Sequence, residues 1–175
     1  MDYAVQFVES EMTRLQNGQV FPAFDVPAVG GGTISIRQSC QGSYGVVLIY
    51  RGAWCPYCQA QLLNLNDGFG DIEKRGYGLI GISYDQPGVQ ADFITQRGLK
   101  YTLLSDPKSE IIDRYNLRDP QYKQGSRAYG VPRPIIFVLD RNGIIKAKLY
   151  EETYVKRPPV SLVVETLDKL GSAGR

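Results

Sequence analysis

Gly45-Val46-Val47-Leu48-Ile49-Tyr50-Arg51-Gly52-Ala53-Trp54-Cys55-Pro56-Tyr57-Cys58: here an unbroken apolar run meets a pair of cysteines at the mouth of a helix-forming segment, and that junction decides the fold. The run from Gly45 to Arg51 reads as a strand covered on both faces, because it does not alternate with polar residues. A helix is expected from about Cys55 to Lys74, carrying Leu62, Leu63, Leu65, Phe69 and Ile72, with Gly68 and Gly70 bending it. Pro56 suits the first helical position, since its fixed φ is helix-compatible and it lacks a donor that would be unpaired there. Cys55 then lies at the helix start, and Cys58 within the first turn on the same side. Tyr77 to Ser83 is a second apolar strand, so strand, helix and parallel strand make one right-handed crossover.

Outward from this unit the alternation repeats. Pro87 to Arg97 reads as helix, Tyr101 to Leu104 as strand and Lys108 to Tyr115 as helix. Residues 118–131, with Tyr122, Lys123, Arg127 and Tyr129, form a polar loop long enough to line a substrate site, or else a plain surface excursion. Ile135 to Asp140 and Ile144 to Tyr150 flank Asn142-Gly143, which favours a hairpin with a tight primed turn. Pro159 to Leu170 closes the chain as a helix with Val160, Val163, Val164, Leu167 and Leu170 on its apolar side. Before the junction, Val5, Val8, Met12 and Leu15 predict an amphipathic helix over about residues 2–17, ended by Asn17-Gly18. Phe21-Pro22-Ala23-Phe24-Asp25-Val26-Pro27 is extended, Gly30 to Gly32 is a turn, and Thr33-Ile34-Ser35-Ile36 is a short strand. The pattern is α/β, a central mixed sheet with helices on both faces, and residues 1–175 read as a single domain.

Composition narrows the function classes. A net charge of +2 with scattered Lys and Arg gives no footprint for nucleic acid. No run approaches the roughly 20 apolar residues of a membrane helix. Met1 to Gln6 has neither a basic start nor an apolar block, so no secretory signal is expected; a cytoplasmic protein with a catalytic dithiol fits the few cysteines, and a processed exported chain would look the same. Three cysteines are too few for a disulfide framework, and zero histidines removes Ser-His-Asp and Cys-His catalysis and histidine metal ligation together.

The unpaired amides and positive dipole end of a helix start favour an anion, and a thiolate is one. In such a setting a cysteine pKa falls from about 8.5 to roughly 3.5–7.5. Cys55 is therefore the expected nucleophile, and Cys58 can close a reducible disulfide with it. Two other readings compete. A structural zinc site needs about four ligands, and Cys40 is the sole further cysteine. The alternative is an inert buried pair with accidental spacing. No metal or other cofactor is expected.

With these residues in place the chain resembles the thioredoxin-fold superfamily, and within it the redoxin branch that includes the AhpC/TSA peroxiredoxins. The resemblance runs from about Gly18 to Leu170. Trp54-Cys55-Pro56-Tyr57-Cys58 matches the thioredoxin active site, and Leu103-Leu104-Ser105-Asp106-Pro107 followed by Tyr115 resembles a peroxiredoxin segment. Phe21 to Phe24 with Thr33 to Ile36 resembles the redoxin N-terminal hairpin. Pro134 occupies the place of the family's cis-proline, which implies a cis bond beside the dithiol and a docking backbone for extended substrate thiols. Arg133, directly before it, would then lie near Cys55. Arg51 is the other arginine candidate, although a strand-end arginine is more often structural or solvent-facing. Trp54 is expected to shield the dithiol and form part of a partner surface. Cys40 reads as a free thiol without a catalytic role.

The departures from the family pattern leave the substrate open. Peroxiredoxins place Thr or Ser three residues before the peroxidatic cysteine, and here that position is Gly52. The resemblance implies a thiol peroxidase in which Cys55 attacks peroxide, Cys58 resolves, and thioredoxin or another thiol reductant restores the dithiol. Trp54, Cys58 and the missing hydroxyl suit a protein thiol–disulfide oxidoreductase instead. A non-catalytic redox-sensing or binding module is the third alternative. Pro56-Tyr57 matches the glutaredoxin dipeptide and suggests a potential less reducing than thioredoxin's. An oligomer is compatible with all three.

Overall fold

The computed structural model describes residues 13–23, 25–29, 31–35 and 44–173. Two short strands, β1 (Asp25–Pro27) and β2 (Thr33–Ser35), pair as an antiparallel hairpin. The chain then runs through β3 (Tyr44–Ile49), α1 (Pro56–Asp67), α2 (Phe69–Lys74), β4 (Tyr77–Ser83), α3 (Pro87–Arg97), β5 (Thr102–Ser105), α4 (Glu110–Arg114), β6 (Ile135–Leu139), β7 (Ile145–Leu149) and α5 (Val160–Ala173). The sheet order is β5-β4-β3-β6-β7. β3 runs parallel to β4 and antiparallel to β6, so the mixed sheet predicted from the sequence is present.

The apolar run of β3 serves two cores at once. Val46, Leu48 and Tyr50 pack with Leu62 and Leu65 of α1, Ile72 of α2, Phe93 of α3 and Val163 and Leu167 of α5. Val47 and Ile49 point the other way, into a cluster with Ile80, Ile82, Phe137, Ile112 of α4 and Val26 of β1. Successive strand residues face opposite sides of a sheet, so a strand covered on both sides must be apolar throughout. Each such buried side chain stabilises the fold by about 1.5–3 kcal/mol. The strand that carries the cysteine loop is therefore among the best anchored segments.

Several boundaries differ from expectation for identifiable reasons. The helix expected over residues 55–74 breaks at Gly68 into α1 and α2. A Cβ at Gly68 would lie 2.2 Å from Val160 Cγ2, so the break gives room to the start of α5. α4 begins at Glu110 because the Asp106 carboxylate accepts from the amides of Glu110 (3.0 Å), Ile111 (3.0 Å) and Ile112 (2.9 Å). The β6–β7 turn is not the two-residue primed form. Asp140 N–H donates to Ile144 O (3.0 Å), Gly143 N–H donates to Asp140 O (2.9 Å), and of the turn residues only Gly143 has positive φ, at 76°. The Asp140 side chain sets this wider turn by accepting from the amides of Asn142 and Ile144.

Most of the helix expected over residues 2–17 lies outside the described residues, as do Cys40, Phe24 and Ile36. Residues 13–16 are not helical. The Thr13 hydroxyl donates to Tyr115 O (2.9 Å) and accepts from Leu15 N–H (3.1 Å), offering the backbone an alternative to the helix ladder. The expectation for Pro134 is also corrected. No cis peptide bond occurs among the described residues, so the Arg133–Pro134 bond is trans. Arg133 N–H donates to Leu117 O (2.7 Å) and Pro132 bridges Arg118, which carries the segment extended into β6 with the ordinary bond geometry. Among the described residues no helix is long and apolar enough to cross a membrane.

Candidate active site at the start of α1

The loop between β3 and α1 sets both thiols. Cys55 is the N-cap of α1, with extended φ −86° and ψ 120°, and Pro56 stands in the first turn as predicted. Cys55 N–H turns back to Gly52 O (3.2 Å), and Ala53 N–H donates to the Asp85 carboxylate (2.8 Å) at the end of β4. That carboxylate also accepts from the Ser83 hydroxyl (2.8 Å), and burial raises its pKa. The loop is thus tied to the neighbouring strand before the helix begins.

Both cysteines are reduced and buried, Cys55 with 1% of its surface exposed and Cys58 with none. The Cys55 pKa is lowered to about 5, mainly because the Cys58 thiol donates to it; burial opposes this, and the Cys58 amide and the Arg51 and Arg157 guanidiniums favour the anion. Cys58 is pushed up, first by burial and then by its own donation to Cys55. One negative charge is shared unequally: Cys55 carries it and Cys58 keeps the proton. The sequence argues for an anion on Cys55 from the helix start; here the larger cause is the Cys58 thiol, with the Cys58 amide of the first turn behind it.

Arg51 is the main cation of the site. It is 3% exposed, and its Nη1 donates to Cys55 Sγ at 3.7 Å. Its backbone N–H donates to Cys58 Sγ at 3.3 Å. Its other terminal nitrogen donates to the Tyr122 hydroxyl, and its guanidinium stacks 4.1 Å from the Tyr154 ring centroid. The sequence placed Arg51 behind Arg133 because strand-end arginines are usually structural or solvent-facing. Here three aromatic rings, Trp54, Tyr122 and Tyr154, take the place of water around it. Arg133 is buried just before β6. Ile49 opposite Ile135 brings Pro134 to the end of β3 from which the cysteine loop departs.

Trp54 is half exposed, at 48%, as is Tyr57 at 46%, so the two aromatics flank the buried sulfurs. Gly52 is required by Trp54: a Cβ there would lie 2.3 Å from the indole Nε1. The place where the family pattern puts a hydroxyl is therefore occupied by an indole edge. On the Trp54 side, Trp54, Tyr84, Arg127 and Ala128 line a cleft of about 410 Å³. The 118–131 loop therefore does reach the site, through Tyr122 at Arg51 and Arg127 at this cleft.

Arg157, Tyr154 and Asp85 were not foreseen. Arg157 lies 99 positions from Cys58, yet its Nη1 and Nη2 each stand 3.5 Å from Cys58 Sγ. Nothing local in Tyr154-Val155-Lys156-Arg157-Pro158-Pro159 signals this approach. Asp85 follows an apolar strand directly, a position that also suits an ordinary loop carboxylate.

Comparison with known proteins agrees with this geometry. The model of the AhpC/TSA family matches residues 17–148. A putative peroxiredoxin, Rv2521, from Mycobacterium tuberculosis is 33% identical over 141 residues, covering 81% of this chain and 88% of the relative. The peroxiredoxin Bcp of Escherichia coli K12 is 29% identical over 135 residues, covering 77% of this chain and 85% of its own length. In fold, the crystal structure of peroxidoxin BcpB from Mycobacterium tuberculosis superposes with a TM-score of 0.76 at 20% identity, over 89% of this chain and 98% of that one. A matched segment that contains both thiols, the strand beneath them and the hairpin beyond, together with relatives similar over most of their length, makes this chain a member of the AhpC/TSA family and an oxidoreductase of the peroxiredoxin class.

Proposed function

We propose that this chain, as a single domain, is a thiol peroxidase in which Cys55 attacks and Cys58 resolves. The observation that carries this reading is the burial of Cys55 beside the Arg51 guanidinium, with 1% of its surface open. In the reduced protein a thiolate this enclosed is more accessible to a small peroxide than to a folded protein's disulfide. The Cys55 thiolate attacks one peroxide oxygen, the S–O bond forms as the O–O bond breaks, and the departing alkoxide or hydroxide takes a proton. Arg51 is suited to hold the developing negative charge. Cys58 then condenses with the sulfenic acid, releasing water and leaving the Cys55–Cys58 disulfide. Thioredoxin or another thiol reductant restores the dithiol. A cycle that depends on external thiols suits a reducing compartment such as the cytoplasm. Trp54 and Pro56 serve as support, the first as a shield and the second as the helix starter; Arg133 and Pro134 shape the end of β3 nearby.

The half-exposed Trp54 and Tyr57 favour a second reading, exchange with protein disulfides, since they offer an apolar rim around the dithiol. Coupled turnover with thioredoxin and its reductase separates the two. Peroxide-dependent consumption of reducing equivalents, lost in Cys55→Ser, is expected. Reduction of insulin disulfides without peroxide turnover would transfer the assignment to the second reading.

A further inference from the structure

The segment between β7 and α5, residues 150–159, lies over the dithiol as a strap. The Tyr154 ring covers the Arg51 guanidinium at 4.1 Å and meets the Tyr57 ring edge-on at 6.1 Å. Arg157 Nε donates to Tyr154 O (2.6 Å) and its Nη1 to Gln61 Oε1 (3.0 Å), so the guanidinium is held in one orientation. In that orientation both terminal nitrogens face Cys58 Sγ, each at 3.5 Å. The Arg51 amide adds a third donor to the same sulfur at 3.3 Å. All three of these contacts donate hydrogens, and two of them come from one positively charged guanidinium. Such a shell is poorly matched to a neutral thiol and well matched to a thiolate.

In the reduced protein Cys55 carries the charge and Cys58 the proton, so the shell around Cys58 is not used for ionisation at that stage. The situation changes once Cys55 becomes a sulfenic acid. The negative neighbour is then gone, and Cys58 is the sulfur that must ionise. We propose that Arg157 is a catalytic residue of the resolving step: it stabilises the Cys58 thiolate that attacks Cys55. In that step the Cys58 thiolate forms the S–S bond, the Cys55 S–O bond breaks, and the leaving hydroxide takes up the proton that Cys58 gave to solvent, departing as water. No further oxidant or reductant is needed. The proposal rests on the peroxidase reading for the origin of the sulfenic acid, and on geometry alone for the ionisation of Cys58.

Removing a cation next to an acid shifts its pKa by roughly 1–3 units. Each unit lowers the thiolate fraction about tenfold, while the greater nucleophilicity of a more basic thiolate restores about threefold. The Arg157→Met variant should therefore resolve at least about threefold more slowly near neutral pH. The single tryptophan, Trp54, lies next to the reacting cysteine and reports both steps by stopped-flow fluorescence. The peroxide-dependent phase belongs to Cys55, whose anion Arg157 favours less than Arg51 does, and it should slow less than the second phase. The peroxide-independent phase should slow, its pH–rate midpoint should rise, and a sulfenic-acid trap should capture more Cys55. Arg157→Lys keeps the charge and should recover most of the rate. A resolution rate and midpoint unchanged in folded Arg157→Met would overturn the proposal, as would a Lys variant as slow as Met, which would mark a purely structural role.

A second measurement needs no peroxide. In the Cys55→Ser background, where position 55 is uncharged, the pH midpoint of Cys58 alkylation read by peptide mass should rise on Arg157→Met. An unchanged midpoint contradicts the proposal even if peroxide turnover is normal. Absence of the first phase in the wild-type protein would instead refute the peroxidase reading, and the Cys58 midpoint would still decide the assignment of Arg157.

Discussion

Gly52→Thr returns to the loop the hydroxyl that the family pattern places there, and the structure forecasts that it displaces Trp54. A Cβ at Gly52 would lie 2.3 Å from Trp54 Nε1, 2.6 Å from Cδ1 and 3.1 Å from Asp85 Oδ1. Carbon contacts settle near 3.5–4.0 Å, so the indole must move by about 1 Å or more. Asp85 is fixed by Ala53 N–H and the Ser83 hydroxyl, whereas the indole is half exposed and free to swing outward. Two interactions are then lost: the stacking of Arg51 on the indole at 5.2 Å and the contact between the indole and the Tyr84 hydroxyl. A partly exposed cation–π contact contributes about 0.5–1 kcal/mol and a net hydrogen bond about 0.5–1.5 kcal/mol, so the expected destabilisation is about 1–2.5 kcal/mol. Urea unfolding measures the loss, and the emission of the single tryptophan reports its cause. A red-shifted emission with the stated loss is expected for both Gly52→Thr and Gly52→Ala, because the clash begins at Cβ. Native emission with full stability in the Ala variant would refute the packing argument.

Three further outcomes follow from named contacts. Arg51→Met removes the cation on Cys55 Sγ, so the Cys55 alkylation midpoint should climb from about 5 by roughly 1–3 units. The thiol pair should also shape stability with pH. Between the folded Cys55 value of about 5 and the ordinary thiol value the unfolded chain holds one more proton on the pair, so stability rises with pH. Above the ordinary value, about 8.5, the folded chain holds the extra proton on Cys58, and stability falls. The slope is at most about 1.4 kcal/mol per pH unit. Unfolding free energies of the reduced protein, minus those of the Cys55→Ser/Cys58→Ser double variant, should peak near the ordinary thiol pKa; a flat difference contradicts the shared charge. Gly68→Ala drives a methyl to 2.2 Å from Val160 Cγ2 and should cost about 1–3 kcal/mol of stability while leaving the rate of peroxide attack unchanged.

The elements whose side chains are all apolar were the most legible. Gly45 to Arg51 and Tyr77 to Ser83 are buried on both sides, and a continuous hydrophobic run between turn residues leaves little choice but a strand. Cys55, Pro56 and Cys58 were legible because the chemistry of a helix start is local. What escaped the sequence is what depends on residues far apart in the chain. Arg51 read as a structural or solvent-facing strand end, and what encloses it, Tyr122 and Tyr154, comes from two separate loops. Arg157 reaches Cys58 across 99 positions, with no periodicity to announce it. At Pro134 the resemblance implied a cis bond, and the Arg133–Pro134 bond is trans, in a segment paired through Arg133 and Pro132 with Leu117 and Arg118. The Asn142-Gly143 turn likewise yielded to Asp140, whose carboxylate holds a wider loop.

If Cys55 and Cys58 act together on a peroxide, a single oxidation must consume both thiols. Reduced protein is mixed with one equivalent of hydrogen peroxide, its remaining thiols are counted and its peptides are mapped. Two of the three thiols should disappear together, in a disulfide joining Cys55 to Cys58, and none should disappear at this rate in Cys55→Ser. Retention of all three thiols, or oxidation that leaves Cys58 free, would contradict it.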